Sequence, residues 1–172
     1  MIKTVFLDAD GVLNEVIMKD GKPAAPVNIS ELVIPPEVKP ALLKLKNAGY
    51  LLICVTNKPD IERGLMTQEM VDAITNKLMQ TLPLDDMFIC YHENSDCYKP
   101  QPGMLLSAAQ KYDIDLSQSY MIGDRWRDIG AGQNAKCKTI WIDRGYQEKK
   151  PDPAADYTVY SLGEGVDWIL DQ

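Results

Sequence analysis

Between Ile2 and Leu7 the chain is apolar and rich in β-branched residues, and it then stops abruptly on Asp8, Ala9, Asp10 and Gly11. A short run of that character predicts a strand buried on both faces in the middle of a parallel sheet. Comparable runs at Leu51–Val55, Met87–Tyr91, Ser119–Ile122 and Thr139–Ile142 predict further strands, and Asp156–Tyr160 predicts one at an edge. Helical patterning fills the gaps. Pro36 opens a helix through Ala48, with Val38, Leu42 and Leu45 at helical spacing, Pro40 in the tolerant first turn and Gly49 as the stop. Thr67 caps a helix to about Gln80, a third helix covers Gly103–Tyr112, and a fourth runs into Lys136. Ser161 starts the last, with Glu164 in capping-box register. Asn14–Ile34 is polar, aperiodic and Pro-containing, which predicts a long loop with a task to perform.

Strands alternating with helices predict an α/β fold, a doubly wound Rossmann-like parallel sheet with helices on both faces. Residues 1–172 have the length of one domain. In such sheets ligands bind beyond the carboxyl ends of the strands, near the point where strand order reverses. The out-of-place polar residues fall at those ends: Asp8 and Asp10 after the first strand, Thr56 after the second, Lys99 after the third, Asp124 after the fourth. Alternation points Asp8 and Asp10 to the same side, where two carboxylates repel unless a cation or a shared proton separates them. Taken alone, Asp10-Gly11 is also an ordinary turn dipeptide. The convergence of five such residues on one sheet edge favours a site.

Composition narrows the partners. The net charge is −7 and no segment carries a basic stripe, which argues against nucleic acid or an anionic membrane and for a small ligand. No apolar stretch approaches a membrane span, and the chain opens on Met-Ile-Lys and a short strand without leader character, so the expectation is a cytoplasmic protein acting as a monomer. The four cysteines do not form a disulfide framework pattern, and reduced thiols suit that compartment. His92 is the single histidine, which argues against a Ser-His-Asp hydrolase.

Carboxylates, a hydroxyl and a lysine on one edge suit a divalent cation plus a phosphoryl group. Magnesium takes oxygen ligands and keeps several waters, so two carboxylates and a carbonyl suffice. Thr56, Lys99 and the amides after Asp8 can neutralise the equatorial oxygens during phosphoryl transfer, and an ionised aspartate can act as nucleophile.

The elements "DADGVLN" (Asp8–Asn14), "VTN" (Val55–Asn57), the lysine of "YKPQPGM" (Lys99) and "GDRWRD" (Gly123–Asp128) together resemble the haloacid dehalogenase superfamily of aspartyl-phosphate phosphatases. That resemblance implies that Asp8 attacks phosphorus while Asp10 protonates the leaving oxygen and then activates water. It implies Mg2+ on Asp8, the Asp10 carbonyl and Asp124, with Asp128 auxiliary. It gives Thr56 and Lys99 to the transferring phosphate, with Asn57, Tyr98 and Arg125 as further candidates for substrate binding.

A narrower resemblance rests on "VTNKPDIERGLMTQE", "KPQPGMLLSAAQKYDIDLSQSYMIGDRWRDI" and the short chain with no separate cap domain. These are similar to the D-glycero-D-manno-heptose 1,7-bisphosphate phosphatases and the related histidinol-phosphate phosphatases. The implied substrate is a small phosphorylated sugar of surface-polysaccharide synthesis, with histidinol phosphate as alternative. That group often carries a zinc loop of pattern C-x-H then C-x-C, against which this chain offers Cys90, His92 and Cys97, with Ser95 in place of one cysteine. Two readings stay open: a Zn2+ site completed by Asp96, another carboxylate or water, or a shortened loop without metal. Tyr98 stands where the heptose enzymes usually have arginine, Lys58 where glutamine is common and Arg125 where lysine is common. Losing a bidentate phosphate reader is not conservative, and Arg125, Arg63 or Lys58 are the candidates to replace it, with Lys58 as a solvated surface charge the alternative. The Asn14–Ile34 loop, Trp126 and Tyr146 are candidates to shape the entrance, with packing the other role for the aromatics. A receiver-type phosphoacceptor gathers similar residues but lacks an Asp-x-Asp acid/base partner, so Asp10 favours turnover over storage. A silent zinc-binding module would leave the acidic set unexplained.

Overall fold

The computed structural model describes residues 1–172. In chain order its elements are β1 (Thr4–Leu7), β2 (Ile17–Lys19), β3 (Lys22–Ala24), α1 (Val38–Asn47), β4 (Leu51–Asn57), α2 (Gln68–Thr81) and β5 (Asp86–Cys90). There follow α3 (Gly103–Tyr112), β6 (Tyr120–Gly123), α4 (Trp126–Asn134), β7 (Lys138–Ile142), β8 (Tyr157–Val159) and α5 (Leu162–Leu170).

Six strands form one parallel sheet in the order β5-β4-β1-β6-β7-β8. The chain builds outward from β1 in one direction and then returns to build in the other, so β1 lies at the reversal of strand order. Alternation along β1 divides the core. Val5 and Leu7 pack with α1, α2 and α5 through Leu42, Leu45, Ile74, Leu78, Val166 and Ile169. Phe6 faces the opposite layer, with Met104, Leu105 and Ala108 of α3 and Ala131 of α4. All four residues of β1 are buried, as a central parallel strand requires. No helix is long and apolar enough to cross a membrane.

Several boundaries differ from the sequence expectation for identifiable reasons. Ile2 lies outside β1: it is 41% exposed and makes a lone bridge to Ile114. β4 runs two residues beyond Val55, because Thr56 and Asn57 pair with Ile89 and Cys90 of β5. The polar residues there are thus held in the sheet. Pro36 precedes α1, which starts at Val38. Thr67 caps α2 by accepting from the Met70 amide at 3.2 Å. Ser161 caps α5, but the Glu164 carboxylate takes the Tyr160 amide.

The segment expected as a loop contains a hairpin. β2 and β3 pair antiparallel, with Lys19 opposite Lys22. Asp20 and Gly21 between them have φ of 52° and 74°. Two successive positive φ values are the geometry of a tight hairpin turn, for which Asp-Gly is a favoured pair. The Gln147 amide donates to the Gly21 carbonyl at 3.3 Å and braces the hairpin tip against the segment after β7.

The cysteines also depart from expectation. Cys90, at the end of β5, and Cys97 form a disulfide, while Cys54 and Cys137 are free and buried. The expectation of four reduced thiols is corrected for this pair. It also removes both sulfurs from the expected zinc ligand set, since zinc binds thiolates. His92 points elsewhere, its side chain 74% exposed and its Nδ1 3.6 Å from Glu62. Cys90, His92 and Cys97 are therefore not gathered into a ligand cluster.

Candidate active site

The end of β1 delivers Asp8, and the chain then turns back over the sheet edge. Gly11 sits in that turn at φ +90°, where an added Cβ would lie 1.9 Å from Asp124 Oδ2. Only glycine fits both the conformation and that approach. Asp124 follows β6, the other neighbour of β1, and Asp128 lies one turn into α4. Carboxylate oxygens of Asp8, Asp124 and Asp128 all lie within 4.8 Å of one another, and all three residues are buried.

Lys99 supplies the opposing charge. Its side chain is buried, and Nζ donates to Asp8 Oδ1 at 2.7 Å, Asp128 Oδ1 at 2.7 Å and the Val55 carbonyl at 2.8 Å. Burial works against its ammonium, but Asp128 and Asp8 outweigh burial and hold its pKa above the ordinary lysine value. The Asp8 carboxyl is pushed up to about 6, by burial first and Asp128 second, with Lys99 pulling the other way. Burial and the same two acidic neighbours raise Asp124. This is an acidic pocket one cation short of balance.

Its oxygens show where a cation fits. Asp128 is saturated: Oδ1 takes Lys99, and Oδ2 takes the amides of Asp124 at 3.1 Å and Arg125 at 2.9 Å. Asp124 Oδ2 accepts from the Tyr146 hydroxyl at 2.6 Å, whereas Oδ1 is buried with no partner. A buried carboxylate oxygen left unpaired is costly, and a hard cation satisfies it. Asp8 has one oxygen not engaged by Lys99, and no backbone amide takes the Asp10 carbonyl. The donor set therefore suits magnesium on Asp8, Asp124 and the Asp10 carbonyl, with Asp128 orienting Lys99 and the turn before α4.

The Asp10 side chain is fixed at both oxygens, by Asn14 Nδ2 at 3.0 Å and Lys58 Nζ at 2.5 Å. Lys58 is not the solvated charge considered from sequence. It is only 4% exposed, and Asp10 overcomes the burial penalty to raise its pKa. Asn57 turns inward too: its side chain accepts from the Lys99 amide at 3.0 Å and donates to the Lys99 carbonyl at 3.2 Å. Thr56 is buried on the cavity floor.

Above these residues lies a cavity of about 560 Å3, lined by Asp8, Asp10, Thr56, Asn57, Tyr98 and Lys99 at its base. Its outer wall includes Lys19, Lys22, Arg63, Arg125 and Arg127. Two of these cations are engaged by carboxylates. Arg125 forks onto Glu148, with its shortest contact at 2.5 Å, and Arg63 bonds Glu93 at 2.7 Å. Lys19, Lys22 and Arg127 have no carboxylate partner. The sequence expectation named Arg125 and Arg63 but missed Lys19, Lys22 and Arg127. The Asp20-Gly21 dipeptide was the available signal for the first two, because a two-residue turn puts its flanking residues opposite one another.

Comparison with known proteins agrees with this geometry. The HAD-hydrolase-like family pattern matches residues 96–165. A D-glycero-beta-D-manno-heptose-1,7-bisphosphate 7-phosphatase of Helicobacter pylori (strain J99) is 32% identical, covering 97% of each chain. The enzyme of the same name from Haemophilus influenzae is 34% identical over 99% of this chain and 92% of its own. The crystal structure of D,D-heptose 1,7-bisphosphate phosphatase from B. bronchiseptica, complexed with magnesium and phosphate, superposes with a TM-score of 0.83 at 28% identity over 99% of both chains. With relatives of this similarity along nearly its whole length, the chain belongs to the haloacid dehalogenase superfamily of phosphatases.

Proposed function

We propose that the protein is a magnesium-dependent phosphomonoesterase that removes one phosphate from D-glycero-D-manno-heptose 1,7-bisphosphate through a phosphorylated Asp8. The observation that carries the chemistry is the set at the end of β1: Asp8 lining the cavity with Lys99 on one carboxylate oxygen and the other left for the cation, and Asp10 two residues on. In the first step, Asp8 forms a bond to phosphorus as the bond to the sugar oxygen breaks. Asp10, held by Asn14 and Lys58, gives that oxygen its proton. In the second step Asp10 takes a proton from water, the water oxygen bonds to phosphorus, and the Asp8 carboxylate departs unchanged. Thr56 and Lys99 lie where the transferring group must rest, and Asn57 keeps the Lys99 backbone in place. Bound magnesium supplies charge neutralisation at the phosphoryl oxygens.

The cavity wall supports a bisphosphate over histidinol phosphate. Lys19 and Lys22 stand directly opposite on the hairpin, a like-charge pairing that destabilises a bare two-stranded ribbon. With Arg127 they put three cations without a carboxylate ion pair on a lining that also holds Asp60, an excess of positive charge that suits a second phosphate and disfavours the ammonium of histidinol phosphate. Phosphate release should therefore require magnesium and favour heptose 1,7-bisphosphate over histidinol phosphate. In the double variant Lys19→Ala, Lys22→Ala, kcat/KM for the bisphosphate should fall about tenfold or more. Turnover of p-nitrophenyl phosphate, which has no second anion, should stay near wild type. Equal loss on both compounds, or no loss on either, would contradict the assignment of the hairpin lysines. Release from histidinol phosphate alone would contradict the choice of substrate.

A further inference from the structure

The end of β7 and the segment after it grip the metal-side carboxylate from outside the cavity. Tyr146 Oη donates to Asp124 Oδ2 at 2.6 Å, and Trp141 Nε1 donates to the Asp124 carbonyl at 3.0 Å. Arg144 donates from Nε at 3.2 Å and Nη2 at 3.0 Å to the carbonyl of Gly11, the residue immediately after Asp10. An atom added at Gly11 would meet both Asp124 Oδ2 and, at 2.9 Å, Tyr146 Oη, so turn, carboxylate and phenol are packed against one another. One short segment thus fixes both chain positions that flank the cation site.

The consequence lies in how Asp124 is left. Tyr146 claims one oxygen, and the other remains buried without a partner. We propose that Tyr146 is a positioning residue that holds Asp124 as a one-oxygen ligand and thereby biases the site toward magnesium over calcium. This inference rests on the assignment of the cation to Asp8 and Asp124. Magnesium demands compact octahedral geometry and retains waters, which a single carboxylate oxygen permits. Calcium accepts more ligands at longer distance and readily takes carboxylates through both oxygens, an arrangement that the phenol obstructs. Removing the hydroxyl frees Oδ2, so the carboxylate can rotate or chelate.

The test is direct titration of the protein with magnesium chloride and with calcium chloride by calorimetry, for wild type, Tyr146→Phe and Asp124→Asn. Tyr146→Phe should bind magnesium about tenfold to a hundredfold more weakly, the usual consequence of losing a partner behind a metal ligand. Its calcium affinity should fall by a smaller factor or rise, so that selectivity narrows. Unchanged magnesium affinity, or an equal fall for both ions, would overturn the inference. In EDTA Tyr146→Phe should melt somewhat below wild type, because a second buried Asp124 oxygen loses its partner. The change in the ratio of magnesium to calcium affinity, which a packing defect alone would not produce, separates positioning from loss of structure. Asp124→Asn acts as the control for the underlying site. If it binds magnesium as well as wild type, the cation assignment fails; if it loses binding while Tyr146→Phe does not, only the role of Tyr146 fails.

Discussion

Asp8→Asn should lose turnover by roughly four orders of magnitude or more, the scale of removing a nucleophile, while remaining folded. It should also melt no lower than wild type in EDTA at neutral pH. Asp8 is a buried carboxyl whose pKa is pushed up to about 6 from 3.8, by burial and by the neighbouring Asp128. Between those values the folded state retains a proton that the unfolded chain has released. Stability of the metal-free protein therefore falls as pH rises through that window. The neutral amide removes this cost, so the pH dependence between about 4 and 6 should flatten in the variant. Paired melting and phosphate-release curves check both halves. Retained activity would take the nucleophile role from Asp8, and a large loss of stability would contradict its electrostatic description.

Lys99→Met should behave in the opposite way and lose both activity and stability. The lysine ammonium is the hydrogen-bond partner of both Asp8 and Asp128, and all three side chains are buried. Removing one member of a buried ion cluster leaves uncompensated charge, at a cost of about 3–5 kcal/mol. Urea unfolding without magnesium should show that loss, and saturating magnesium should recover part of it by neutralising the same carboxylates. A variant as stable as wild type in EDTA would mean that Lys99 is not the counter-charge of this pocket.

The parts of the fold that were legible in the sequence are those that depend on local periodicity. Runs such as Val5–Leu7 and Ile53–Val55 are buried on both faces, so they read as continuous apolar segments. Asp8, Asp10, Thr56 and Asp124 announced themselves as polar residues where such runs end, and Lys99 as the lysine of the loop between β5 and α3. Contacts between distant segments left less trace. Thr56 and Asn57 belong to β4 because of β5, across a ladder that spacing alone does not reveal. Lys58 follows a strand and precedes Pro59, a setting that suggests exposure, yet its ammonium is buried on Asp10 from 48 positions away. The hairpin strands are three residues each, too short for alternation to register, and only the Asp20-Gly21 turn marks them. The Cys90–Cys97 bond was likewise hidden, because close spacing fits a metal loop and a disulfide equally well.

Turnover by this route requires a covalent phosphoryl group at Asp8. The Asp10→Asn variant keeps the nucleophile but lacks the base that activates water, and p-nitrophenyl phosphate has a leaving group that departs without a proton donor. Acid quench of that variant during turnover, followed by peptide mass spectrometry, should find the Asp8 peptide heavier by one phosphoryl group. The same peptide from Asp8→Asn should stay unmodified. Phosphate release from substrate with no modified Asp8 peptide at any quench time would show direct attack by water and contradict the mechanism.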